Sequence, residues 1–306
     1  MDLRRIRKIV VVGGGTAGWL SSFFMRALFP TAEIAVLDSS SLGILGAGEG
    51  TFRNFPYFLE RFDIPEPPFM SETSATLITR SVAMRSGWMW MIPTADRLGC
   101  GYVYSDAYAN ESMIQCELEE FFNRRIELGG LIHMKSGCLN RVWIGNCMAV
   151  GLAAGFVEPL EATSIGQSIA QLDEFLRVAG ETGGVVSETQ AHLFNHGNSQ
   201  SFELVRDFLA MHSPSKRRDS AFWRDQAERR LPPRGSELVA IYRERFPRYA
   251  DFGLHTDRPQ IHFQIFSIAS IAHALRLLSR ETAQMEIDPL TDSARRTLER
   301  LAWLSC

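Results

Sequence analysis

The first forty residues alternate between short apolar runs and one longer apolar segment. A β-branched run over 9–12, bounded by glycine, is typical of a strand that is buried on both faces. Apolar residues on all sides of 19–29 predict a helix that ends at Pro30, and 33–37 is a second short apolar run. Two short runs with a helix between them predict a βαβ unit with a right-handed crossover.

The middle of the chain combines a loop, a short helix and one longer helix. Residues 40–54 form a glycine-rich loop, and a short helix predicted over 55–62 leads into a proline-rich turn. Ser112 begins a capping-box pattern and Gly129 supplies a stop, so a helix is predicted between them. Four apolar residues of that helix are expected to share one side: Met113, Leu118, Phe121 and Phe122.

The last third of the chain is predicted to be mainly helical. Helices are predicted over 164–179, 202–211 and 236–245. The polar, glycine-containing stretch 180–200 is the best candidate for a domain boundary. The predicted fold class is therefore α/β, with one domain over 1–180 and a mainly helical region over 181–306 that packs on the same core.

Composition and charge narrow the class of protein. The 306 residues are 45% hydrophobic and 22% charged, which is typical of a globular protein and excludes disordered, collagenous and coiled-coil chains. A formal net charge of −3 gives no general attraction to nucleic acid or to an anionic membrane. Only Lys8, Lys135 and Lys216 are lysines, so chemistry that needs a neutral amine has three candidates.

The cysteines and histidines indicate neither a disulfide framework nor a metal site. Five cysteines are scattered without a CxxC pair, which is typical of reduced, mostly packed thiols in a cytosolic protein. His192 and His196 have i, i+4 spacing, but no carboxylate accompanies them. The apolar runs over 9–12 and 265–275 are too short for a signal peptide or a membrane span, so the expected location is the cytoplasm.

A glycine-rich motif joins the first predicted strand to the first predicted helix. It reads Gly13-Gly14-Gly15-Thr16-Ala17-Gly18. In such a motif Gly13 makes the tight turn, Gly15 lets the backbone approach a pyrophosphate, and Gly18 allows helix and strand to pack closely. Asp38 ends the second strand, where a carboxylate can accept a hydrogen bond from a ribose hydroxyl. These features predict a dinucleotide site; the N-terminal position favours FAD, and the spacing alone leaves NAD open.

Three further segments have ordinary structural interpretations when each is taken alone. Residues 46–51 (GAGEGT) are typical of a flexible turn, and residues 88–93 (WMWMIP) of a strand with one packed face. In 156–164 (FVEPLEATS) a carboxylate precedes Thr-Ser at a predicted helix start. That arrangement is either a capping cluster or an acid–base group beside an anion-attracting helix terminus.

Taken together and in order, these segments resemble the motifs of the flavin-dependent tryptophan halogenase family. The matching segments are GGGTAGW at 13–19, GAGEGT at 46–51, WMWMIP at 88–93, WIGNC at 143–147, FVEPLEAT at 156–163 and RRDSAFW at 217–223. The resemblance covers 6–223 and extends more loosely to the end of the chain. It implies a Rossmann-type FAD-binding fold over 1–180, followed by the mainly helical region.

The resemblance also implies roles for individual residues. FAD would be held by Gly13, Gly15, Thr16, Ala17, Gly18, Asp38, Gly48, Glu49, Gly50 and Thr51. Glu161 would be the catalytic carboxylate, Thr163 and Ser164 would lie on the halide side, and Trp88 and Trp90 would keep substrate away from the flavin. The family takes reduced FAD from a separate flavin reductase and uses oxygen and halide to make hypohalous acid. That acid reaches a lysine and a glutamate beside a small aromatic substrate.

Two departures from the family pattern change this expectation. Ile78 or a neighbour occupies the position of the catalytic lysine, and no lysine lies between Lys8 and Lys135. Lys135 is expected in a strand, as a solvated surface residue. An isoleucine can neither form a haloamine nor donate a hydrogen bond, so the standard halogenation relay is broken. The family also has a long stretch where this chain has only 80–87, which shortens the FAD-binding domain.

Two functions follow from this pattern. The first is an FAD-dependent oxidoreductase that uses reduced flavin and oxygen to oxidise or halogenate a small aromatic substrate. The alternative is a non-catalytic flavin-binding or partner-binding relic of the halogenase scaffold. The alternative predicts self-association into a homo-oligomer through exposed apolar surface.

Overall fold

The computed structural model describes residues 1–40, 55–65, 79–93, 98–158, 160, 163–212, 217–246, 248, 251 and 265–296. The strands are β1 (Lys8–Val12), β2 (Glu33–Leu37), β3 (Arg80–Ala83), β4 (Gly87–Pro93), β5 (Leu98–Tyr104), β6 (Gly137–Cys138), β7 (Trp143–Ile144), β8 (Cys147–Met148) and β9 (Gly155–Phe156). The helices are α1 (Thr16–Leu28), α2 (Phe55–Arg61), α3 (Glu111–Phe122), α4 (Thr163–Glu181), α5 (Glu188–Ala210), α6 (Ala221–Glu228), α7 (Pro233–Glu244), α8 (Ile265–Ala274) and α9 (Arg280–Ile287). Short 3-10 helices lie at Leu3–Arg5 and Gly151–Ala153. This mixture of strands and helices confirms the predicted α/β class.

The chain divides into two compact units. One comprises Met1–Arg206 and Arg217–Gln226, and the other comprises Asp207–Lys216 and Ala227–Cys306. The first unit holds all the described strands, whereas the described residues of the second are mainly helical. The domain boundary predicted at residue 180 separates two regions of the sequence and not these two units, and it remains a prediction. Of the helices described, none is both long and apolar enough to cross a membrane.

The first unit begins with the predicted βαβ unit. β1 and β2 pair in parallel, with Val10 opposite Ala35 and Val12 opposite Leu37. One face of the pair packs against α1, where Gly18 lies close to the Val11 side chain. On the other face Val12 is 83% exposed and Leu37 is 56% exposed. The prediction that β1 is buried on both faces is therefore wrong, because within the described residues helix packing covers only one face.

Two apolar clusters hold α4 and α5 in the first unit. The cluster between α1, α2 and α4 contains Leu20, Phe24, Phe58, Leu59, Ile165, Ile169 and Leu172. The cluster between the N-terminal segment, β7, α4 and α5 contains Leu3, Val142, Trp143, Ala154, Phe175, Val178, Ala179, Val186, Phe194 and Phe202. Helix α4 contributes to both clusters, so it connects the βαβ unit to β7 and α5.

The antiparallel sheet β3–β4–β5 packs against α3 in a separate cluster. Its buried members are Met84, Met89, Met91, Ala109, Ile114 and Leu118. Helix α3 buries Ile114 and Leu118, whereas Met113 and Phe121 are exposed, so the predicted common side is wrong. The helix is capped by Asn110, whose side chain accepts from the Met113 amide, and it ends before a left-handed Asn123 rather than at Gly129.

Helix α5 begins at Glu188, so most of the polar stretch 180–200 is helical. Two other sequence-based expectations are corrected. The four described cysteines are free and exposed, not packed: Cys100, Cys116, Cys138 and Cys147. Lys135, expected in a strand, lies exposed in an irregular segment.

The second unit has its own buried centre. Tyr242 of α7 is fully buried, together with Leu238, and Ile268 and Ala272 of α8 are also buried. Two hydrogen bonds of 2.5 and 2.9 Å join the Arg245 guanidinium to the Asp251 carboxylate. The Thr282 hydroxyl of α9 donates to the Arg243 carbonyl of α7, 3.3 Å away. The predicted helix over 236–245 is confirmed as α7.

Candidate functional site

The loop between β1 and α1 has the backbone geometry that the glycine motif predicts. Gly13 has φ +110°, a conformation that favours glycine, and its amide donates to the Leu37 carbonyl at 2.7 Å. At Gly18 a Cβ atom would lie 1.9 Å from the Gly13 carbonyl oxygen. Any side chain at Gly18 would therefore push the helix away from the turn that precedes it.

Gly15 leaves open space at the start of α1. It is the N-cap residue, has φ −75°, and supplies no side-chain acceptor to the first turn. A Cβ atom built on Gly15 would meet nothing within 4 Å. Because helix N-termini attract anions through their backbone amides, this space is suited to a phosphate group.

Asp38 lies beside this loop, directly after β2. Its Oδ1 accepts hydrogen bonds from the backbone amides of Gly14 and Ser39, at 3.1 and 2.9 Å. A Cβ atom on Gly14 would lie 2.5 Å from the Asp38 carboxyl carbon, so a small residue is needed at Gly14. The two amides fix the exposed carboxylate at the edge of the loop. The pairing of a glycine cradle with this carboxylate fits the pyrophosphate and ribose of a dinucleotide.

Thr163 and Ser164, which are predicted to lie on the halide side, are the first two residues of α4. Thr163 is buried, and the Ser164 carbonyl accepts from the Ser168 hydroxyl at 2.9 Å. Ser168 in turn lies near Gly151, whose Cβ position is 2.4 Å from Ala17 Cβ and 3.5 Å from Ser168 Oγ. The first turn of α1 and Ser168 of α4 are therefore brought together around Gly151.

Five predicted site residues lie outside the described residues. They are Gly48, Glu49, Gly50, Thr51 and Glu161. Ile78, at the expected position of the family lysine, also lies outside them. Their predicted roles remain predictions.

Trp88 and Trp90 lie on β4, in the middle of the β3–β4–β5 sheet. Trp90 is buried opposite Gly101, whereas Trp88 is partly exposed and faces the Trp223 ring edge-on at 5.5 Å. The structure thus joins the WMWMIP segment to the RRDSAFW segment, more than a hundred residues later in the sequence. Their role as a barrier between substrate and flavin remains a prediction.

The RRDSAFW segment also caps the turn between β3 and β4. Three successive carbonyls of that turn accept hydrogen bonds: Ala83 from Arg217, Met84 from Trp223 Nε1 at 2.6 Å, and Arg85 from Ser220 at 2.5 Å. The Arg217 guanidinium also lies over the Trp223 ring, 5.0 Å from its centroid. The arginine and tryptophan of this segment therefore have structural partners in the turn.

Sequence reasoning missed the residues that hold the WIGNC segment. Trp143 exchanges two backbone hydrogen bonds, both 2.8 Å, with the buried Asn195 side chain. Gln171 Nε2 donates to the Ala149 carbonyl at 2.6 Å. The available signal was polar side chains at helical positions that are otherwise apolar, but their partners are 52 and 22 residues away in the sequence.

Sequence comparison identifies a family and individual proteins to which this chain is similar. The family model described as tryptophan halogenase matches residues 8–78 and 76–289. Uncharacterized protein y4xG of Sinorhizobium fredii (strain NBRC 101917 / NGR234) is 32% identical over 219 residues, which are 71% of this chain and 43% of that protein. Tryptophan 7-halogenase RebH of Lentzea aerocolonigenes is 35% identical over 168 residues, which are 54% of this chain and 31% of that protein. The chain thus spans less than half the length of these curated relatives.

Structural comparison agrees on the fold. The flavin-dependent halogenase BrvH of Brevundimonas sp. BAL3 superposes with a TM-score of 0.59 at 24% identity, over 74% of this chain and 45% of that chain. The tryptophan halogenase of Shewanella frigidimarina NCIMB 400 superposes with a TM-score of 0.76 at 15% identity, over 98% of this chain and 94% of that chain. The predicted Rossmann-type fold is confirmed, and the match of the family model over most of the sequence establishes that this chain belongs to the tryptophan halogenase family.

Proposed function

We propose that this chain binds FAD and uses reduced flavin with oxygen to oxidise, or to halogenate, a small aromatic substrate. The observation that carries the proposal is the glycine loop, in which Gly13 and Gly18 close the turn, Gly15 leaves room for a phosphate, and Asp38 lies at the edge. Members of this family are flavin-dependent. When bound, FAD would supply the oxygen-activating chemistry, and a separate flavin reductase would supply it in reduced form.

The remaining roles belong to residues of this chain. Thr16 and Ala17 would add first-turn amides to the phosphate site, and the segment Gly48–Thr51 would complete the flavin contacts. Glu161 would hold or transfer a proton at the substrate, and Thr163 and Ser164 would line the halide side. Trp88 and Trp90 would separate the substrate from the flavin.

A non-catalytic flavin-binding or partner-binding module is the second candidate. It is favoured by the exposed face of β1 and β2, where Val12 is 83% exposed. Two lysines also favour it, because both lie on the surface. Lys8 is paired with Glu33 at 2.8 Å, and Lys135 is exposed in an irregular segment. The family model matches in two pieces, 8–78 and 76–289, which meet at 76–78, just before the segment 80–87 where the shortening is predicted.

Turnover with reduced flavin tests the proposed function. Purified chain would be supplied with FAD, a flavin reductase, NADH, oxygen and an indole substrate, with and without chloride or bromide. The enzyme function predicts an oxygen-dependent product that requires the chain and is strongly reduced by Glu161→Gln. Product formation unchanged by Glu161→Gln would remove that residue from the mechanism.

Absence of any oxygen-dependent product, with FAD bound, would favour the non-catalytic module. That module also predicts self-association, which size-exclusion chromatography with light scattering measures directly. A clean monomer would count against it. Extraction of the bound cofactor distinguishes FAD from the NAD alternative.

A further inference from the structure

We propose that the segment 142–151 is a positioning device for the phosphate-binding turn of α1. It consists of the β7–β8 hairpin and the glycine that follows it, Gly151. This inference deepens the proposed FAD binding and rests on it.

The first end of the hairpin is fixed by Asn195 of α5. The Trp143 amide donates to Asn195 Oδ1, and Asn195 Nδ2 donates to the Trp143 carbonyl, both at 2.8 Å. This side chain therefore pairs with a backbone residue as a neighbouring strand would. The Trp143 ring also packs edge-on against Phe175 and Phe194, with centroids 5.1 and 5.2 Å away.

The second end is fixed by Gln171 of α4. Gln171 Nε2 donates to the Ala149 carbonyl at 2.6 Å, and the Ala149 amide donates to the Val142 carbonyl at 2.8 Å. Both ends of the hairpin are therefore held by buried amide side chains. These side chains come from two helices that are packed into the core of the first unit.

Gly151 transmits this position to the glycine loop. It has φ +64°, and a Cβ atom there would lie 2.4 Å from Ala17 Cβ. Ala17 is the second residue of α1, in the turn whose amides would face the pyrophosphate. With nothing larger than hydrogen between them, the hairpin segment sets how far the first turn of α1 can move.

The chain offers a matched set of variants. Gly151→Ala adds a methyl group that must displace Ala17, at a residue with left-handed φ. Gly183→Ala is the control, because Gly183 has φ +57° and a Cβ there would meet nothing within 4 Å. Ala17→Gly combined with Gly151→Ala removes the clash, since the next atoms are Ser168 Oγ at 3.5 Å and Ala17 Cα at 3.9 Å.

Gln171→Met is a second route that introduces no clash. It removes the hydrogen bond to Ala149 and also removes Gln171 Oε1, which is buried without a partner among the described residues. The lost hydrogen bond destabilises and the removal of the unpaired oxygen stabilises, so we expect little net change in the unfolding midpoint but a weaker hold on the hairpin. If Gln171 had a purely structural role, the unfolding midpoint and the FAD affinity would change together.

Three quantities are measured for each variant: the FAD dissociation constant, the unfolding midpoint in urea, and hydrogen exchange of peptides covering 13–20. We expect Gly151→Ala to weaken FAD binding about tenfold and Gln171→Met about threefold, with Gly183→Ala within about twofold of wild type. The double variant should bind within about threefold of Ala17→Gly alone. The same order is expected in the exchange rates of 13–20.

Equal FAD affinities for Gly151→Ala and Gly183→Ala, or failure of Ala17→Gly to rescue, would overturn the inference. If the wild-type chain binds no FAD, the proposed function fails, and the exchange rates measured without cofactor still decide this inference. Faster exchange over 13–20 in Gly151→Ala than in Gly183→Ala would support it. Equal exchange would refute it.

Discussion

Gly18→Ala is the sharpest test of how the glycine motif shapes the fold. The added Cβ would lie 1.9 Å from the Gly13 carbonyl oxygen and 3.0 Å from its carbon. Gly13 cannot easily yield, because it has φ +110° and its amide is bonded to the Leu37 carbonyl at 2.7 Å. The helix must therefore move away from β1, or the turn must open.

The expected magnitude comes from two opposed effects. Alanine in place of glycine within a helix stabilises by about 1 kcal/mol. Overpacking typically costs about 1–3 kcal/mol, and contact with a fixed backbone carbonyl places Gly18→Ala at the upper end of that range. We therefore expect a net loss of about 2 kcal/mol in the free energy of unfolding.

Urea unfolding followed by circular dichroism measures this loss. Gly180→Ala in α4 is the matched control, because a Cβ there would meet nothing within 4 Å; we expect it to stabilise by about 0.5 kcal/mol. Gly18→Ala that is as stable as the wild-type chain, or more stable, would refute the close packing of α1 on the turn.

Three further predictions concern other parts of the chain. Trp223→Phe should keep the ring contact with Trp88 but leave the Met84 carbonyl without its donor, and we expect a loss of about 1–2 kcal/mol in urea unfolding; an unchanged midpoint would contradict this. Asn195→Leu should lower the free energy of unfolding by about 2–3 kcal/mol in the same measurement, because it leaves both backbone groups of Trp143 unpaired. A smaller loss than for Trp223→Phe would contradict the hydrogen bonding of Asn195 to Trp143. The hydrogen bonds from Arg245 lower the pKa of Asp251 from its usual value of 3.8, so the stability that this carboxylate contributes is present above that pH and is lost as pH falls through the lower folded value. Asp251→Asn should therefore reduce the dependence of the unfolding midpoint on pH in this acid range. A pH dependence as steep as that of the wild-type chain would contradict the pairing of Asp251 with Arg245.

The βαβ unit and the glycine loop could be predicted because their signals are local. The run over 9–12, the motif at 13–18 and Asp38 lie within one short stretch, and each has a direct physical role in the turn. The exposure of Val12 could not be predicted in this way. A β-branched run indicates a strand, but its burial depends on which other elements cover the sheet.

Helix α5 shows why polar residues concealed a helix. Asn195 and Ser201 lie at positions that are buried along with Phe194 and Phe202, so the expected apolar stripe is interrupted. Asn195 bonds to Trp143, and the Ser201 hydroxyl bonds to Gln167 at 3.0 Å. These partners compensate for the burial of polar groups, and they lie too far along the sequence for a local pattern to show.

The docking of 217–223 on the turn between β3 and β4 was beyond sequence reasoning for a related reason. Family resemblance indicated both segments, but not that they touch. The contacts run from side chains of one segment to backbone carbonyls of the other, and such carbonyls carry no sequence signature.

Equilibrium titration of the purified chain with FAD, followed by flavin absorbance and fluorescence, tests the central claim most directly. We predict saturable binding by the wild-type chain. We also predict at least about tenfold weaker binding by Gly15→Ala at an unchanged unfolding midpoint, because its methyl group enters the open space at the start of α1. A folded wild-type chain that takes up no FAD, or Gly15→Ala that binds as tightly as wild type, would contradict the assignment of this loop as the flavin phosphate site.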